Sequence, residues 1–156
     1  AALIPGAGSN IVYALQGARG PGDVAGIDGG IGQKDGAACP SGGIALGAGD
    51  GAARVVLTAM RTDPGIRSAV LIRFSPAVLA ILGDLLLEIC GFDRSREPPG
   101  ISTMDWGVAS CCRDGVPDAI FDRGAPGKEG LVRILGEDTV RVAQLVVTLS
   151  NRLAGM

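Results

Sequence analysis

Histidine is absent from all 156 residues of this chain, and its absence removes whole classes of chemistry. No imidazole is there to act as a general base near neutral pH, to complete a Ser-His-Asp or Cys-His arrangement, or to ligate a metal. Aromatic residues are scarce at 3%, so Ala, Val, Leu and Ile must build the core. Tyr13 and Trp106 stand far apart, without the aromatic interleaving that stacks nucleic-acid bases. The net charge of −2 and the isoelectric point near 5.0 signal no basic face for direct nucleic-acid binding. The four cysteines, Cys39, Cys90, Cys111 and Cys112, form no C-x-x-C pair, which argues against a zinc site. Cys111 and Cys112 fall with Met104 and Val108 at helical spacing, so both are expected in the core, in a reducing, cytoplasmic setting. The longest apolar stretch, 77–91, is interrupted by Asp84 and Glu88 and is shorter than a bilayer span. No basic, apolar leader opens the chain, and no initiator methionine does either. The expectation is one domain over 1–156, cut from a longer protein that carries another domain upstream.

What is present is apolar and patterned. At 47% hydrophobic residues the chain can bury a core and is not disordered. A strand is expected over 11–15, then a glycine-rich region of short strands and loops to Gly51. Ala52, Val55, Val56, Ala59 and Met60 share one face of a helix over 52–61, which Asp63-Pro64-Gly65 ends. Alternation over 66–74 predicts a strand with Ala69, Leu71 and Arg73 on one side. Ser75-Pro76 opens a helix as N-cap and first-turn proline, with Val78, Leu79, Leu82, Leu85, Leu86 and Ile89 as its apolar stripe. Gly91-Phe92 begins a strand ending in Asp93-Arg94. Ser102 and Asp105 start another helix; strands follow at 118–121 and 131–135, and a helix over 137–153 closes the chain. Strands alternating with helices point to an α/β domain with helices on both sheet faces and ligands at strand ends.

The segment 122–130, D-R-G-A-P-G-K-E-G, interrupts two apolar strands with charge and glycine. It contains one of the two lysines, Lys128, beside Arg123. Such a loop can bring backbone N–H groups and cations to one anion, or can be a charged surface hairpin. It matches neither a Walker loop nor a dinucleotide fingerprint, so the pattern leaves both readings open. Trp106, beside an apolar helix face, reads as core more readily than as a platform for a heterocycle.

The segments Ser9 to Ala14, Asp23-Val24-Ala25, Ala53 to Arg61, Asp63 to Ala69, Phe92-Asp93-Arg94, Ser102 to Gly107 and Val116 to Glu129 together resemble the ThiN family, the archaeal-type thiamine-phosphate synthase domain. They run in order through nearly the whole chain. The resemblance implies a three-layer α/β/α sandwich around a mixed sheet, of the AraD/class II aldolase type. Enzyme members join hydroxymethylpyrimidine diphosphate to hydroxyethylthiazole phosphate, giving thiamine phosphate and pyrophosphate. Other members are effector domains of ThiR-type transcription regulators, which follow a helix-turn-helix and sense thiamine phosphates.

The departures steer the expectation. Synthase members read Gly-Arg-Ile where this chain has Gly29-Gly30-Ile31, and Ser-Arg-His where it has Gly49-Asp50-Gly51. The family's catalytic arginine and histidine thus fall at Gly30 and Gly51. Asn in the strand and Pro in the loop are replaced by Leu71 and Gly130. Departing pyrophosphate needs cations or proton donors, so losing both side chains should cost orders of magnitude in rate. The expectation is therefore a non-catalytic sensor of thiamine phosphate or thiamine pyrophosphate, with synthase activity as the alternative. The implied ligand-binding set is Ser9, Asn10, Asp93, Arg94, Asp122, Arg123, Gly124, Gly127, Lys128 and Glu129. No cofactor is expected beyond a magnesium ion on a pyrophosphate, with Asp93 or Asp122 as its ligands. The expected partners are the thiamine phosphates, DNA only through a separate N-terminal domain, no membrane, and a second copy in a homodimer.

Overall fold

The computed structural model of the protein describes residues 2–156, with residues 103 and 104 described by backbone alone; the expected core place of the Met104 side chain lies outside the described residues. Seven strands form one mixed sheet in the order β5-β2-β1-β6-β9-β8-β7. They are β1 (Ile11–Ala14), β2 (Val24–Ile27), β5 (Ile44–Leu46), β6 (Ser68–Arg73), β7 (Ile89–Gly91), β8 (Ala119–Phe121) and β9 (Leu131–Gly136). All neighbours run antiparallel except β7 and β8. A separate hairpin, β3 (Ile31–Lys34) with β4 (Ala37–Pro40), stands beside the sheet within the glycine-rich region.

Four helices cover the two sheet faces. Helices α1 (Asp50–Met60) and α3 (Thr103–Cys111) lie on one side, and α2 (Pro76–Asp84) and α4 (Thr139–Ala154) on the other. The result is the expected three-layer mixed α/β domain. Strand alternation divides the core accordingly. Ala69 faces α1 with Val12, Ala14 and Ile120, while Val70 and Ile72 face α2 and α4 with Val132 and Ile134. Each buried Val, Leu or Ile contributes about 1.5–3 kcal/mol by leaving water. With few aromatics, many small side chains carry this load together.

The local signals explain the helix starts. Ser75 accepts from the Val78 amide at 3.1 Å and Pro76 occupies the first turn of α2. Asp138 accepts from the Arg141 amide at 2.9 Å at the start of α4, and Val142 and Leu149 anchor its buried face.

Two expectations need correction. Helix α2 stops at Asp84, and Leu86 takes a left-handed φ of 59° with its side chain almost fully exposed. Gly83 and Asp84 are poor helix formers, so the chain turns early and hands Ile89 to β7. Cys111 is not an inert core thiol. It forms a disulfide with Cys90 that ties α3 to β7, whereas Cys112 is buried as expected. A sequence separation of 21 carries no pairing signal, and helical spacing alone hid the partner.

Candidate functional site

The segment 122–130 is the connection between β8 and β9, closed by a tight turn at its tip. The Lys128 amide donates to the Ala125 carbonyl at 2.8 Å, and the Ala125 amide donates back to Lys128 at 3.0 Å. Pro126 and Gly127, with φ +72° at the glycine, meet the demands of a type II turn. Gly124 has φ +86°, and a Cβ there would stand 2.6 Å from the Lys128 carbonyl. Three of the loop amides are committed to the fold. Those of Ala125 and Lys128 close the turn, and that of Gly124 donates to Asp122 Oδ1 at 2.8 Å. Lys128 remains exposed at the tip, with no side-chain partner among the described residues.

Beneath the hairpin lies a buried cluster of charge. Asp122 and Arg133 are both fully buried and paired at 2.9 Å, and Arg94 approaches the same carboxylate at 3.6 Å. Arg94 also donates to the Glu129 carbonyl at 3.3 Å, which fastens the hairpin to the segment after β7. Burial pulls the Arg133 guanidinium below its ordinary range; Asp122 opposes this and Arg94 adds to it. The Arg133 guanidinium lies 5.0 Å from the centre of the Phe92 ring. Asp122 thus holds two arginines and does not present a free oxygen to a ligand.

One pocket opens on the arginine side of the hairpin, with a volume of about 730 Å³. Arg94, Arg96 and Arg123 line it, with Asp93 as its one carboxylate. Phe92 and Trp106 meet edge to face at 5.9 Å on its aromatic wall. Gly107 makes that wall possible, because a Cβ there would stand 2.3 Å from the Phe92 ring. Arg123 lies over two stacked rings, 5.3 Å from Phe74 and 5.6 Å from Phe121, which narrow its range by cation–π attraction. Asp93 is exposed and accepts from the Ser95 amide at 2.9 Å; its hydrogen bonds to Ser95 hold its carboxyl below the usual range.

A second pocket, of about 310 Å³, opens on the other side of the hairpin and is lined largely by backbone and glycine. Gly30 and Gly51 meet here with Ser9, Asn10, Asp50 and Glu129 at the start of α1. Asn10 is engaged in full: its amide nitrogen donates to Ile27 and Ala48 carbonyls at 3.0 and 2.8 Å, and its oxygen accepts from the Ile27 amide at 2.9 Å. Ser9 Oγ donates to the Leu71 carbonyl. Glu129 accepts from the Gly6 amide at 2.7 Å and pairs with Arg73 at 2.9 Å. Position 30 is glycine for a backbone reason. Its φ is +75°, and a Cβ would lie 2.7 Å from the Ser9 carbonyl.

The ten expected ligand residues are thus divided. Asp93, Arg94, Arg123 and Gly124 reach the arginine pocket; Ser9, Asn10 and Glu129 reach the glycine pocket; Gly127 and Lys128 sit at the tip between them, and Asp122 lies beneath. Sequence reasoning missed Arg133, Arg96, Arg73 and the rings of Phe74 and Phe121. The signal for Arg133 was present, since an arginine inside Leu131-Val132-Arg133-Ile134-Leu135 needs a buried anion.

Comparison with known proteins identifies this framework. Residues 1–148 match the family described as thiamine-phosphate synthase ThiN. The chain is 39% identical over 152 residues to the bifunctional thiamine biosynthesis protein ThiDN of Methanocaldococcus jannaschii, covering 96% of this chain and 36% of that protein. It is 36% identical over 157 residues to the thiamine-phosphate synthase ThiN of Methanothermobacter thermautotrophicus, covering 96% of this chain and 83% of that protein. The crystal structure of the C-terminal domain of protein MJ0236 superposes with a TM-score of 0.89 at 37% identity, over 96% of this chain and 83% of that one. Both named relatives are biosynthetic. That finding overturns the expectation of a non-catalytic sensor domain in a transcription regulator.

Proposed function

The chain belongs to the thiamine-phosphate synthase ThiN family, and on that premise we propose that it is a synthase domain joining hydroxymethylpyrimidine diphosphate to hydroxyethylthiazole phosphate. The observation that carries this reading is the pair of pockets on either side of one charged hairpin. A condensation of two phosphorylated heterocycles needs two adjoining sites and cations between them. The bond from the pyrimidine methylene carbon to the diphosphate oxygen breaks, and the oxygen leaves with the electron pair. The thiazole nitrogen supplies the pair for the new carbon–nitrogen bond, and no proton moves in that step.

The growing charge on pyrophosphate is met by Arg123 and Lys128 on the hairpin and Arg94 at its base. Ser9 and Asn10 shape the glycine pocket through hydrogen bonds they already make, and Glu129 is held by Arg73. Asp122 sets the arginines. Among the described residues no group of three His, Cys, Asp or Glu side chains is clustered for a metal, and a cation carried by pyrophosphate would take Asp93 as a ligand in the arginine pocket. Without side chains at Gly30 and Gly51, stabilisation of the leaving group falls to the arginines, and turnover is expected to be slow for the family.

The test is a coupled assay for pyrophosphate release, with thiamine phosphate identified by mass. Product formation above the uncatalysed rate, reduced at least tenfold in Arg123→Ala, is the expected result. No product at millimolar concentrations of both substrates would overturn the synthase reading.

A further inference from the structure

The large sheet ends in two unlike edges. At one, β7 is tied to α3 by the Cys90–Cys111 disulfide. At the other, β5 is open: no strand lies beyond it among the described residues, and Ile44, Ala45 and Leu46 are all exposed. Ile44 keeps 82% and Leu46 57% of its surface in contact with water. Register puts both on the sheet face of Tyr13, itself exposed, through Leu46 opposite Ala25 and Ala25 opposite Tyr13. No charged residue occurs from Ala37 to Gly49. Edge strands of monomeric proteins are ordinarily blunted by lysine, by inward charge or by proline in the strand, and β5 has none of these.

The ladder between β2 and β5 decides which backbone groups face outward. The strands pair antiparallel, with Gly26 opposite Ala45. The Gly47 amide donates to the Val24 carbonyl at 3.0 Å, and the Asp28 amide to the Gly43 carbonyl at 2.9 Å. Bonded pairs alternate in such a ladder, so Ala45 turns its amide and carbonyl inward to Gly26, and those of Ile44 and Leu46 point to the open edge. One outward amide and one outward carbonyl thus stand on each side of Ala45. An identical edge, turned about a two-fold axis at Ala45, meets them donor to acceptor: Ile44 of each copy lies opposite Leu46 of the other. At the axis the two Ala45 residues form the close, non-bonded pair, at about 4.5 Å between Cα atoms, where a small side chain fits. The edge is self-complementary, as an isologous interface requires. The β3–β4 arm, which enters β5 through residues 41–43, is exposed too. Asp35 and Gly36, with φ of 53° and 78°, close its tight turn, and residues 33–38 all face water. A two-stranded ribbon is marginal alone and is stabilised by a neighbouring surface.

We propose that β5 is the interface with a second copy of this chain, joined edge to edge in antiparallel register about Ala45, so that two seven-stranded sheets run on as one. The two arms flank the junction from opposite ends. Residues 47–49 run from β5 straight to the glycine pocket at the start of α1, so pairing also braces backbone that shapes this pocket. The interface is independent of which substrates the pockets hold.

Sedimentation equilibrium of the full chain reads the assembly, and twice the chain mass of 15.7 kDa is expected. Ile44→Lys puts a charge on the exposed edge. Leu46→Pro removes an outward amide that the ladder to β2 does not use. Each should weaken association about a hundredfold or more, with the circular dichroism of the diluted chain unchanged. Cross-linking reads the register. With oxidised glutathione as oxidant, Ala45→Cys should join two copies through a disulfide at the axis, since the non-bonded pair falls within the Cα separation of about 4.4–6.8 Å that a disulfide spans. Ile44→Cys should not, because each Ile44 faces Leu46 and not its own counterpart. The Ile44 and Leu46 amides should gain protection from hydrogen exchange as concentration rises. A chain of single mass at every soluble concentration would overturn the inference and leave the edge to a different strand. A dimer that survives both Ile44→Lys and Leu46→Pro would overturn it as well, and equal cross-linking at positions 44 and 45 would overturn the register.

Discussion

The two pockets flanking the hairpin are built on opposite terms. In the glycine pocket the polar side chains are committed to the fold: Asn10 closes three hydrogen bonds, Ser9 holds Leu71, and Glu129 holds Gly6 and Arg73. Its shape comes from backbone, including a glycine at position 30 that no side chain can replace without a shift. In the arginine pocket the backbone plays a smaller part and charge dominates, with cations in excess over carboxylates. The contrast teaches that a residue's presence in a site does not fix its role. Asn10 and Arg123 were both expected at the ligand; one is fully bonded to the framework and the other is held over two rings with its charge facing outward.

The comparison breaks most directly at Asp122. Asp122→Ala leaves Arg133 buried without its carboxylate and should cost about 3–5 kcal/mol. Urea unfolding measures this, and a loss below about 1 kcal/mol would show that the buried charge has another support. Reducing the Cys90–Cys111 disulfide should lower stability by about 3 kcal/mol, from the loop of 21 residues that it closes. Thermal unfolding with and without a dithiol reads the loss. Trp106 emission should shift with it, because α3 forms the wall of the arginine pocket and none of the glycine pocket.

Gly30→Arg sharpens the other side. It should destabilise by about 1–3 kcal/mol through its left-handed backbone, and should not raise the rate of thiamine phosphate formation. A faster enzyme would show that the loop adjusts and that position 30 is available for chemistry. Phe74→Leu is the mildest change. It removes one ring beneath Arg123 and should weaken a phosphate ester about two- to fivefold, with Phe74→Tyr close to the parent. Equal effects of Leu and Tyr would reduce Phe74 to packing.

Much of this framework was legible in advance, for identifiable reasons. Helices α1 and α4 carry a stripe at helical spacing, and Ser75-Pro76 names its own helix start. Strand β6 alternates cleanly, with Ala69 and Val70 on opposite faces. What stayed hidden depends on distant parts of the chain. Nothing local says that Cys90 meets Cys111, or that Asp122 reaches Arg133 across the β8–β9 pair. Helix α2 failed as a forecast because its stripe continues past Gly83-Asp84 into residues that leave the helix. The division of one predicted ligand set into two pockets follows from the hairpin's position, and residue types alone do not encode it. The functional forecast failed differently. It read the glycines at positions 30 and 51 as the mark of a sensor, whereas both named relatives are biosynthetic proteins.

Gly107 has a wider consequence. Because the Phe92 ring occupies the space its Cβ would need, the spacing between α3 and the segment after β7 is set by a missing carbon. The calibre of the arginine pocket is thus a mechanical setting, separate from its electrical one. A methyl group at position 107 would act as a shim behind the aromatic wall, altering which ring sizes pass while every guanidinium keeps its charge. Selection or engineering can retune the ligand's girth and its ionic state as two independent variables.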